Sequence, residues 1–558
     1  VRLNDGPSAN LAGGLFCAVV DLLSNRRDLE AWRRREPQRP LHFVPTMGAL
    51  HEGHRQLLRR AQRAPGGGPR PRVLLSVFVN PLQFGPSEDF ARYPRDPSGD
   101  AALAAAEGVE ALFLPTVEEV FPGGELAITR VRPPERLLAS LCGRSRPGHF
   151  EGVATVVCRL LALVRPARLL LGEKDWQQLR LLRQVVADLG LPVAIEGCAT
   201  VRRADGLPCS SRNRYLSSEE LRQAMALPAA LAAAQRLGQS GVEEAEALLR
   251  EARQALVAAG LKIDYLELVG ADSFRPLPNL VPRAGSDGLP LLAAAVQCGP
   301  SRLIDHVFLM PRSPIVAIDG PAGAGKSTVT RELARRLGLI YLDTGAMYRA
   351  VTWWVQRHGG DTGDADVVGP LLEGLDLRLQ LTEDGDQQVL INGHDVSQAI
   401  RAPEVTAAVS ALAALPCVRE ALTRQQRAMG SRGGLVAEGR DIGTAVFPDA
   451  ECKVFLTASV AERARRRAED LRQRGFAVPP LAELEESIAS RDHQDASRAV
   501  APLRQAEDAV ELSTDGLTIE AVIEALLDLV RQRIPEDAWP TPAPADSAAT
   551  APPAASTA

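Results

Sequence analysis

The residues best able to do chemistry stand in two places far apart in the chain. One is Gly320-Pro321-Ala322-Gly323-Ala324-Gly325-Lys326-Ser327-Thr328, which fits G-x-x-x-x-G-K-[ST]. The apolar run 315–319 leads into it and a helix-like stretch, 327–337, follows. Strand, glycine loop and helix in succession place backbone N–H groups and a helix N-terminus around anionic oxygens. Lys326 is then positioned to reach β- and γ-phosphates and Ser327 to hold Mg²⁺. The other place is Met47-Gly48-Ala49-Leu50-His51-Glu52-Gly53-His54, where a strand hands over to a helix. Two histidines three apart share one helical face. Imidazoles at a helix N-terminus can bind a polyphosphate and stabilise charge on a leaving pyrophosphate. The same spacing fits a metal pair, although no cluster of third ligands accompanies it, and Gly53 suits close backbone approach to a nucleotide. Alone, this second motif indicates nucleotidyl transfer and no more.

The elements that must carry these residues alternate. Residues 41–45, 73–79, 111–114 and 168–171 read as strands, separated by Ala- and Leu-rich helical stretches. That alternation predicts a parallel, doubly wound sheet with ligands at the carboxyl ends of its strands. The polar segments 46–54, 80–85 and 172–175 fall at those ends. From about residue 191 the character changes: 218–260 is long and helical, and 262–269 and 291–297 read as strands, a smaller α+β lobe closing near 309. Pro311-Arg312-Ser313-Pro314 is a short, stiff join. Beyond it, 375–391 alternates apolar and polar residues around Glu383-Asp384-Gly385-Asp386, a hairpin signal. The expected organisation is 1–190, 191–311, 314–535 and a disordered Pro/Ala-rich tail, 536–558, with no internal repeat.

Composition narrows the class. A chain of 558 residues is too long for one core. Apolar content of 45% and charged content of 24% are ordinary for a globular protein. A net charge of −5 gives no electrostatic footprint for nucleic acid, and the arginine runs 33–35 and 465–467 read as solvated helix faces. The eight cysteines, at 17, 142, 158, 198, 209, 298, 417 and 452, form no C-x-x-C and suit reduced thiols. Residues 15–20 are too short for a signal-peptide core, and no run reaches the roughly 20 apolar residues of a membrane span. A cytoplasmic protein without membrane partners is expected.

Four further motifs follow the first histidine site in order: Phe78-Val79-Asn80-Pro81-Leu82-Gln83-Phe84-Gly85, Arg146-Pro147-Gly148-His149-Phe150, Gly172-Glu173-Lys174-Asp175-Trp176-Gln177-Gln178-Leu179 and Ser210-Ser211-Arg212-Asn213-Arg214-Tyr215-Leu216. With them, residues 20–310 closely resemble the pantothenate synthetase (pantoate–β-alanine ligase) family. The resemblance implies a Rossmann-like nucleotidyltransferase domain with a small α+β lobe. It implies a reaction through a pantoyl-adenylate, releasing pyrophosphate and then AMP. Met47, Gly48, Ala49, Leu50, His51, Glu52, Gly53 and His54 would line the ATP site, with Gly172, Glu173, Lys174, Asp175, Val201, Cys209, Ser210, Ser211 and Arg212. His54 would give a proton to the leaving pyrophosphate. Gln83 and Gln178 would hold pantoate, with Gln83 near β-alanine. Two anions must meet when a carboxylate attacks the α-phosphorus, so cations are needed: Lys174, Arg212 and Arg146. Pro208-Cys209 stands where the family commonly has Ala-Leu, and Cys209 reads as buried filler.

The glycine-loop half has its own companions: Tyr341-Leu342-Asp343-Thr344-Gly345-Ala346-Met347-Tyr348-Arg349-Ala350, Ala437-Glu438-Gly439-Arg440-Asp441-Ile442-Gly443-Thr444 and Ser490-Arg491-Asp492-His493-Gln494-Asp495-Ala496-Ser497-Arg498-Ala499. Residues 314–535 resemble the bacterial cytidylate kinases, a P-loop nucleoside-monophosphate kinase family. The resemblance implies that Gly320 to Thr328 bind ATP, that Thr344 and Asp441 bond cytosine or sugar, and that Arg349, Arg419, Arg440, Arg491 and Arg498 hold phosphates. Residues 463–467 resemble the mobile lid of such kinases. Thr344 and Glu438 stand where the family often has Ser and Asp, which keeps a hydroxyl and a carboxylate.

Together these readings predict two enzymes in one chain, one joining pantoate to β-alanine and one phosphorylating CMP or dCMP, each using ATP and Mg²⁺. The family resemblance suggests a homodimer through the first half. The two reactions share no intermediate, so no channelling is expected, and halves cut near Ser313 are expected to keep their activities.

Overall fold

The computed structural model describes residues 20–539, apart from 65–67, 87, 126, 281–286, 382–386, 474 and 499. Residues 15–19, Cys17, the hairpin turn 383–386 and the tail beyond 539 lie outside the described residues.

The first half forms a six-stranded sheet from β1 (Asp21–Leu23), β2 (Leu41–Thr46), β3 (Arg72–Val77), β4 (Ala111–Phe113), β5 (Arg168–Gly172) and β6 (Ala194–Cys198), in the order β1-β4-β3-β2-β5-β6. All of its pairings are parallel. Apolar side chains on both faces make it a buried sheet: Phe43 and Leu74 face one cluster, Val44 and Leu75 the other. From β2 the chain runs outward through β3 and β4, then returns to build β5 and β6 on the other side. The crevice between the carboxyl ends of β2 and β5 is therefore the topological switch point where such sheets bind ligands.

The four strands expected from sequence are present, but the sheet also has β1 and β6 at its edges. β6 overturns the expected boundary at 191, because Ala194–Cys198 completes the first sheet through its register with Arg168–Gly172. Beyond it come helices Ser218–Ala224, Ala226–Gln239 and Ala245–Ala258, then an antiparallel sheet of β7 (Lys262–Gly270), β8 (Pro290–Cys298) and β9 (Ser301–Phe308).

The second half is built on β10 (Ile315–Asp319), β11 (Ile340–Asp343), β12 (Leu377–Leu381), β13 (Gln387–Ile391), β14 (His394–Asp395), β15 (Leu435–Gly439), β16 (Cys452–Thr457) and β17 (Val510–Ser513). Five of these form a parallel sheet in the order β11-β15-β10-β16-β17, and β12-β13-β14 form the small antiparallel insertion expected near 375–391. Its switch point lies between β10 and β15. Gly320, next after β10, has φ of 150°, and a Cβ there would lie 2.0 Å from the Leu456 carbonyl, so only glycine lets the loop leave the strand.

The join is held from the kinase-like side. Arg312 pairs with Glu451 and Asp449, each at 3.0 Å, and Ser313 N–H donates to the Arg432 carbonyl at 3.1 Å. The halves also meet elsewhere. Helix Ile519–Arg533 packs against β6, and Arg168 reaches both carboxylate oxygens of Asp528 at 3.2 Å. The expected tail begins with structure: Glu536–Ala538 is a helical turn, Ala538 is buried, and Trp539 packs on the core beneath it.

Candidate active sites

The first site follows from how the chain leaves β2. Gly48 has φ of 86° and Ala49 of 51°, and the N–H groups of Ala49 and Leu50 donate to Asp100 at 3.0 and 2.8 Å. A Cβ on Gly48 would lie 2.8 Å from that carboxylate. This turn delivers His51 as the N-cap of helix Glu52–Ala61. His51 Nδ1 accepts from Gly53 N–H at 3.1 Å, and His54 Nδ1 accepts from His51 N–H at 3.2 Å. Each ring thus carries its proton on Nε2. Burial, with the charge of Lys174 adding to it, lowers the His51 imidazole to about 4, and burial beside His51 and Lys174 takes His54 well below its ordinary value. Both are neutral donors at the N-terminus of a helix.

They open on a cleft of about 260 Å³ between β2 and β5. Of the residues expected there, Met47, His51, Gly53, His54, Gln83, Arg146, Gly172, Lys174, Asp175, Gln178, Val201, Cys209, Ser210, Ser211 and Arg212 line it. Others are placed differently. Gly48, Ala49 and Leu50 form the supporting turn, Glu52 points outward to Arg59, and Glu173 is buried beneath residues 536 and 537.

Partners near and far in sequence hold these groups, and no local pattern marks Asp89 and Glu88 among them. Gln83 accepts from the Asn80 amide at 3.0 Å and approaches the Met47 sulfur at 3.3 Å. Arg212 is gripped by both oxygens of Asp89 at 2.9 and 3.0 Å, and Arg146 by both oxygens of Glu88 at 2.5 and 2.7 Å. His149 Nε2 accepts from Arg146 at 2.9 Å and its Nδ1–H donates to the Gln83 carbonyl at 2.8 Å. Burial and that guanidinium lower it to about 3. Burial pushes the Asp175 carboxyl up, but Lys174 and Arg212 outweigh it and hold it below its ordinary value. Cys209 is half-buried at the cleft wall, and burial raises its thiol, which suits filler rather than a nucleophile.

The second cleft, about 660 Å³, lies over the glycine loop. Ala322, Gly323, Gly325, Lys326, Ser327 and Thr328 line it, as do Thr344, Arg349, Arg419, Arg440, Asp441, Arg491 and Arg498. Gly320, Pro321 and Ala324 do not line it, and Ala324 is buried. Lys326 Nζ donates to the carbonyls of Gly320 and Pro321 at 2.8 Å, and burial beside Arg440 lowers its ammonium to about 8. Ser327 donates to Glu438 at 2.6 Å, and Thr344 to the Glu438 carbonyl at 2.7 Å. Arg419 and Asp441 form a buried pair at 2.8 Å, Arg349 pairs with Asp343 at 3.1 Å, and Arg440 and Arg498 share Asp495. The Nε groups of Arg419 and Arg491 are buried with no hydrogen-bond partner among the described residues.

Of the arginines in 463–467, Arg463 is buried against Asp492, Arg466 reaches Thr514, and these two with Arg467 line the cleft. Arg465 and Arg467 are both exposed, Arg467 at the rim of the cleft. Sequence reading missed Arg331 and Arg401, which also line the cleft. Arg331 follows Ser327 by one helical turn, a spacing that could have shown it. Ser327 and Glu438 fit a Mg²⁺ site of the kind completed by nucleotide phosphates. Among the described residues no three His, Cys, Asp or Glu gather as a metal cage, and no single helix is long and apolar enough to cross a membrane.

Fold and sites define a class: an α/β protein with two nucleotide-type clefts, each at the switch point of its own parallel sheet, the second on a phosphate-binding loop. Residues 19–308 match the pantoate-beta-alanine ligase family and residues 316–532 the cytidylate kinase family. A bifunctional pantoate ligase/cytidylate kinase of Prochlorococcus marinus (strain MIT 9313) is 61% identical over 513 residues, covering 92% of this chain and 99% of that protein. One of Parasynechococcus marenigrum (strain WH8102) is 60% identical over 523 residues, covering 94% and 100%. The solved pantothenate synthetase of Thermus thermophilus is 43% identical, covers 52% of this chain and 100% of its own, and superposes with a TM-score of 0.48. The chain belongs to the bifunctional pantoate ligase/cytidylate kinase family.

Proposed function

We propose that the first cleft condenses pantoate with β-alanine through a pantoyl-adenylate, and that the second phosphorylates CMP and dCMP with ATP. The observation that carries this reading is the pair of clefts, each gathering the ligand groups its reaction needs. In the first, the neutral Nε2–H groups of His51 and His54 receive the polyphosphate at the helix N-terminus. Binding of that anion raises the His54 pKa, so the ring takes up a proton from solvent as the anion binds and passes that proton to departing pyrophosphate. Lys174 offsets the charge of the two anions that meet. The amides of Gln83 and Gln178 bind pantoate hydroxyls and carboxylate without adding charge. Arg146 and Arg212, each neutralised by its carboxylate, act as oriented donors more than as free cations. The walls exclude water from the adenylate until the amine arrives.

In the second cleft Lys326 leaves the loop carbonyls for phosphate oxygens. Arg349, Arg419, Arg440, Arg491 and Arg498 hold the acceptor and transferring phosphates, and Asp441 and Thr344 meet the nucleoside. Ser327, with Glu438 behind it, would hold Mg²⁺, which would supply charge neutralisation for the phosphates. Cytoplasmic location and a homodimer through the first half complete the proposal.

The test is to incubate the protein with ATP and Mg²⁺ and separate all nucleotides by chromatography. Pantoate plus β-alanine is expected to give AMP and pantothenate, and CMP to give ADP and CDP. CDP without pantothenate would leave the first half a binding module. Pantothenate without CDP would give the second half another acceptor.

A further inference from the structure

The last described turn of the kinase half lies on the ligase half, against the two loops that carry its nucleotide-site residues. The loop after β5 is Gly172 to Asp175, and that after β6 is Ala199 to Val201. Lys174, Asp175, Thr200 and Val201 all line the ligase cleft. Glu173, between the first loop's cleft residues, points the other way into the protein and is 1% exposed. Its carboxylate accepts from the backbone N–H groups of Glu536 and Asp537 at 3.0 and 2.8 Å. Burial, with Asp537 adding to it, raises that carboxyl to about 8.

The bonding is reciprocal. Asp537 accepts from Thr200 N–H at 2.9 Å and from the Thr200 hydroxyl at 2.5 Å, and Glu536 accepts from Ala199 N–H at 3.2 Å. Glu536 also pairs with Arg60 on helix Glu52–Ala61, the helix that His51 caps. One short segment thus ties together the β5 loop, the β6 loop and the histidine helix. Without it, a buried carboxylate and two backbone donors at the edge of the cleft would have to find other partners or move.

We propose that Glu536 and Asp537 are positioning residues of the ligase site, so that the C-terminal segment of the kinase half sets the geometry in which the ligase half binds its nucleotide. The proposal rests on the reading of the first cleft as the ligase's ATP site. The two residues touch no substrate. They act through Glu173, Ala199, Thr200 and Arg60.

The test uses the full chain with Asp537→Ala, Asp537→Asn and Glu536→Ala, measuring kcat and KM of both activities on the same samples. The kinase reaction, whose cleft is elsewhere, is the internal standard. Asp537→Ala is expected to raise the ligase KM for ATP about tenfold, within the range for removing a group that orients a ligand-binding one, with kinase parameters within about twofold. Asp537→Asn, which keeps an acceptor oxygen for Thr200, should recover most of the effect. Unchanged ligase parameters in both alanine variants would overturn the proposal. So would an equal fall in both activities with a lowered melting temperature, which would make the contact plain adhesion. Lys174→Ala is run alongside. If it abolishes pantothenate formation while Asp537→Ala changes nothing, the clamp alone has failed. If it leaves pantothenate formation intact, the reading of the cleft has failed and the clamp falls with it.

Discussion

Ser327 Oγ donates a 2.6 Å hydrogen bond to Glu438 Oε1, joining the start of the phosphate-loop helix to the end of β15. The contact spans 111 residues of sequence and sets the hydroxyl where a nucleotide-bound Mg²⁺ would meet it. Glu438→Gln keeps an acceptor for Ser327 but removes the charge. It should lower kinase kcat about 10- to 100-fold, the usual cost of losing a group behind a metal ligand. Ligase activity should be unchanged, and Glu438→Asp should retain most kinase activity. CDP formation measured against Mg²⁺ concentration checks this. A Gln variant with wild-type kcat and Mg²⁺ dependence would remove Glu438 from the site.

The same carboxylate bears on stability. Burial, with Asp343 adding to it, raises Glu438 to about 7, and burial raises Asp319 to about 6 against the pull of two backbone donors. A carboxyl whose folded value lies above its unfolded one favours the folded state below the unfolded value, and that contribution is lost as pH rises through the folded value. The melting temperature of the kinase half should therefore decline between pH 5 and 7.5. Glu438→Gln should flatten the decline and melt higher than wild type at pH 8. A steeper decline in the variant would contradict the assignment.

The ligase histidines give the opposite sign. His51 at about 4, and His54 lower than its ordinary value by burial, are neutral across the physiological range. Since kcat/KM reports the free enzyme, its acid limb for pantothenate formation should lie below pH 5 rather than near 6.5. His54→Ala should cost the ligase about 100-fold or more, within the range for a positioned proton donor, and leave CDP formation alone. An acid limb near 6.5 that disappears in His51→Asn would mean the ring is charged in the free protein.

Much of this is legible in the sequence because it is local. The glycine loop, the His51–His54 turn and the strands feeding them are set by neighbours in sequence, and each expected element appears within a few residues. What is not legible depends on contacts across the chain. Arg212 finds Asp89 across 123 residues, Arg146 finds Glu88 across 58, and Glu173 finds Asp537 across 364. Nothing in the local pattern marks Asp89 or Glu88 as counter-charges. β1 and β6 escape a reading of pattern because neither is a continuous apolar run: one is Asp-Leu-Leu, where the equally short β4 is Ala-Leu-Phe, and the other is Ala-Ile-Glu-Gly-Cys. A Pro/Ala bias points to disorder from residue 536 onward, yet Glu536 to Trp539 carry the charges and the ring that dock this stretch on the ligase half.

Gly152 supports Gln83 from below. A Cβ there would lie 2.2 Å from the Leu82 carbonyl and 2.8 Å from Gln83 N, so helix His149–Val164 can approach that turn only with glycine. Gly152→Ala should displace Gln83, raise KM for pantoate more than KM for ATP, and destabilise the ligase half by about 1–3 kcal/mol. Kinase parameters should hold. Steady-state kinetics with each substrate varied, beside thermal unfolding, decides it. Equal effects on both KM values would mean the change spreads beyond the Gln83 turn.

The two halves should stay together after the chain between them is cut. Because the two reactions share no intermediate, halves severed near Ser313 are expected to keep their activities when apart. The structure argues otherwise, because Leu526, Leu527 and Val530 of helix Ile519–Arg533 are buried in the apolar cluster that also holds Leu169 and Leu171 of β5. The ionic rim adds Arg168 between Glu196 at 2.8 Å and Asp528 at 3.2 Å. A buried apolar contact of this kind resists dissociation, while its charged rim weakens with salt. A protease site placed at Arg312–Ser313 and cleaved after purification should leave fragments that co-elute on gel filtration and retain both activities. Separating them in high salt and mild denaturant should raise the ligase KM for ATP, since Glu536 and Asp537 leave with the kinase fragment, and remixing should restore it. Fragments that elute apart at once, with ligase kinetics unchanged, would return the halves to independence.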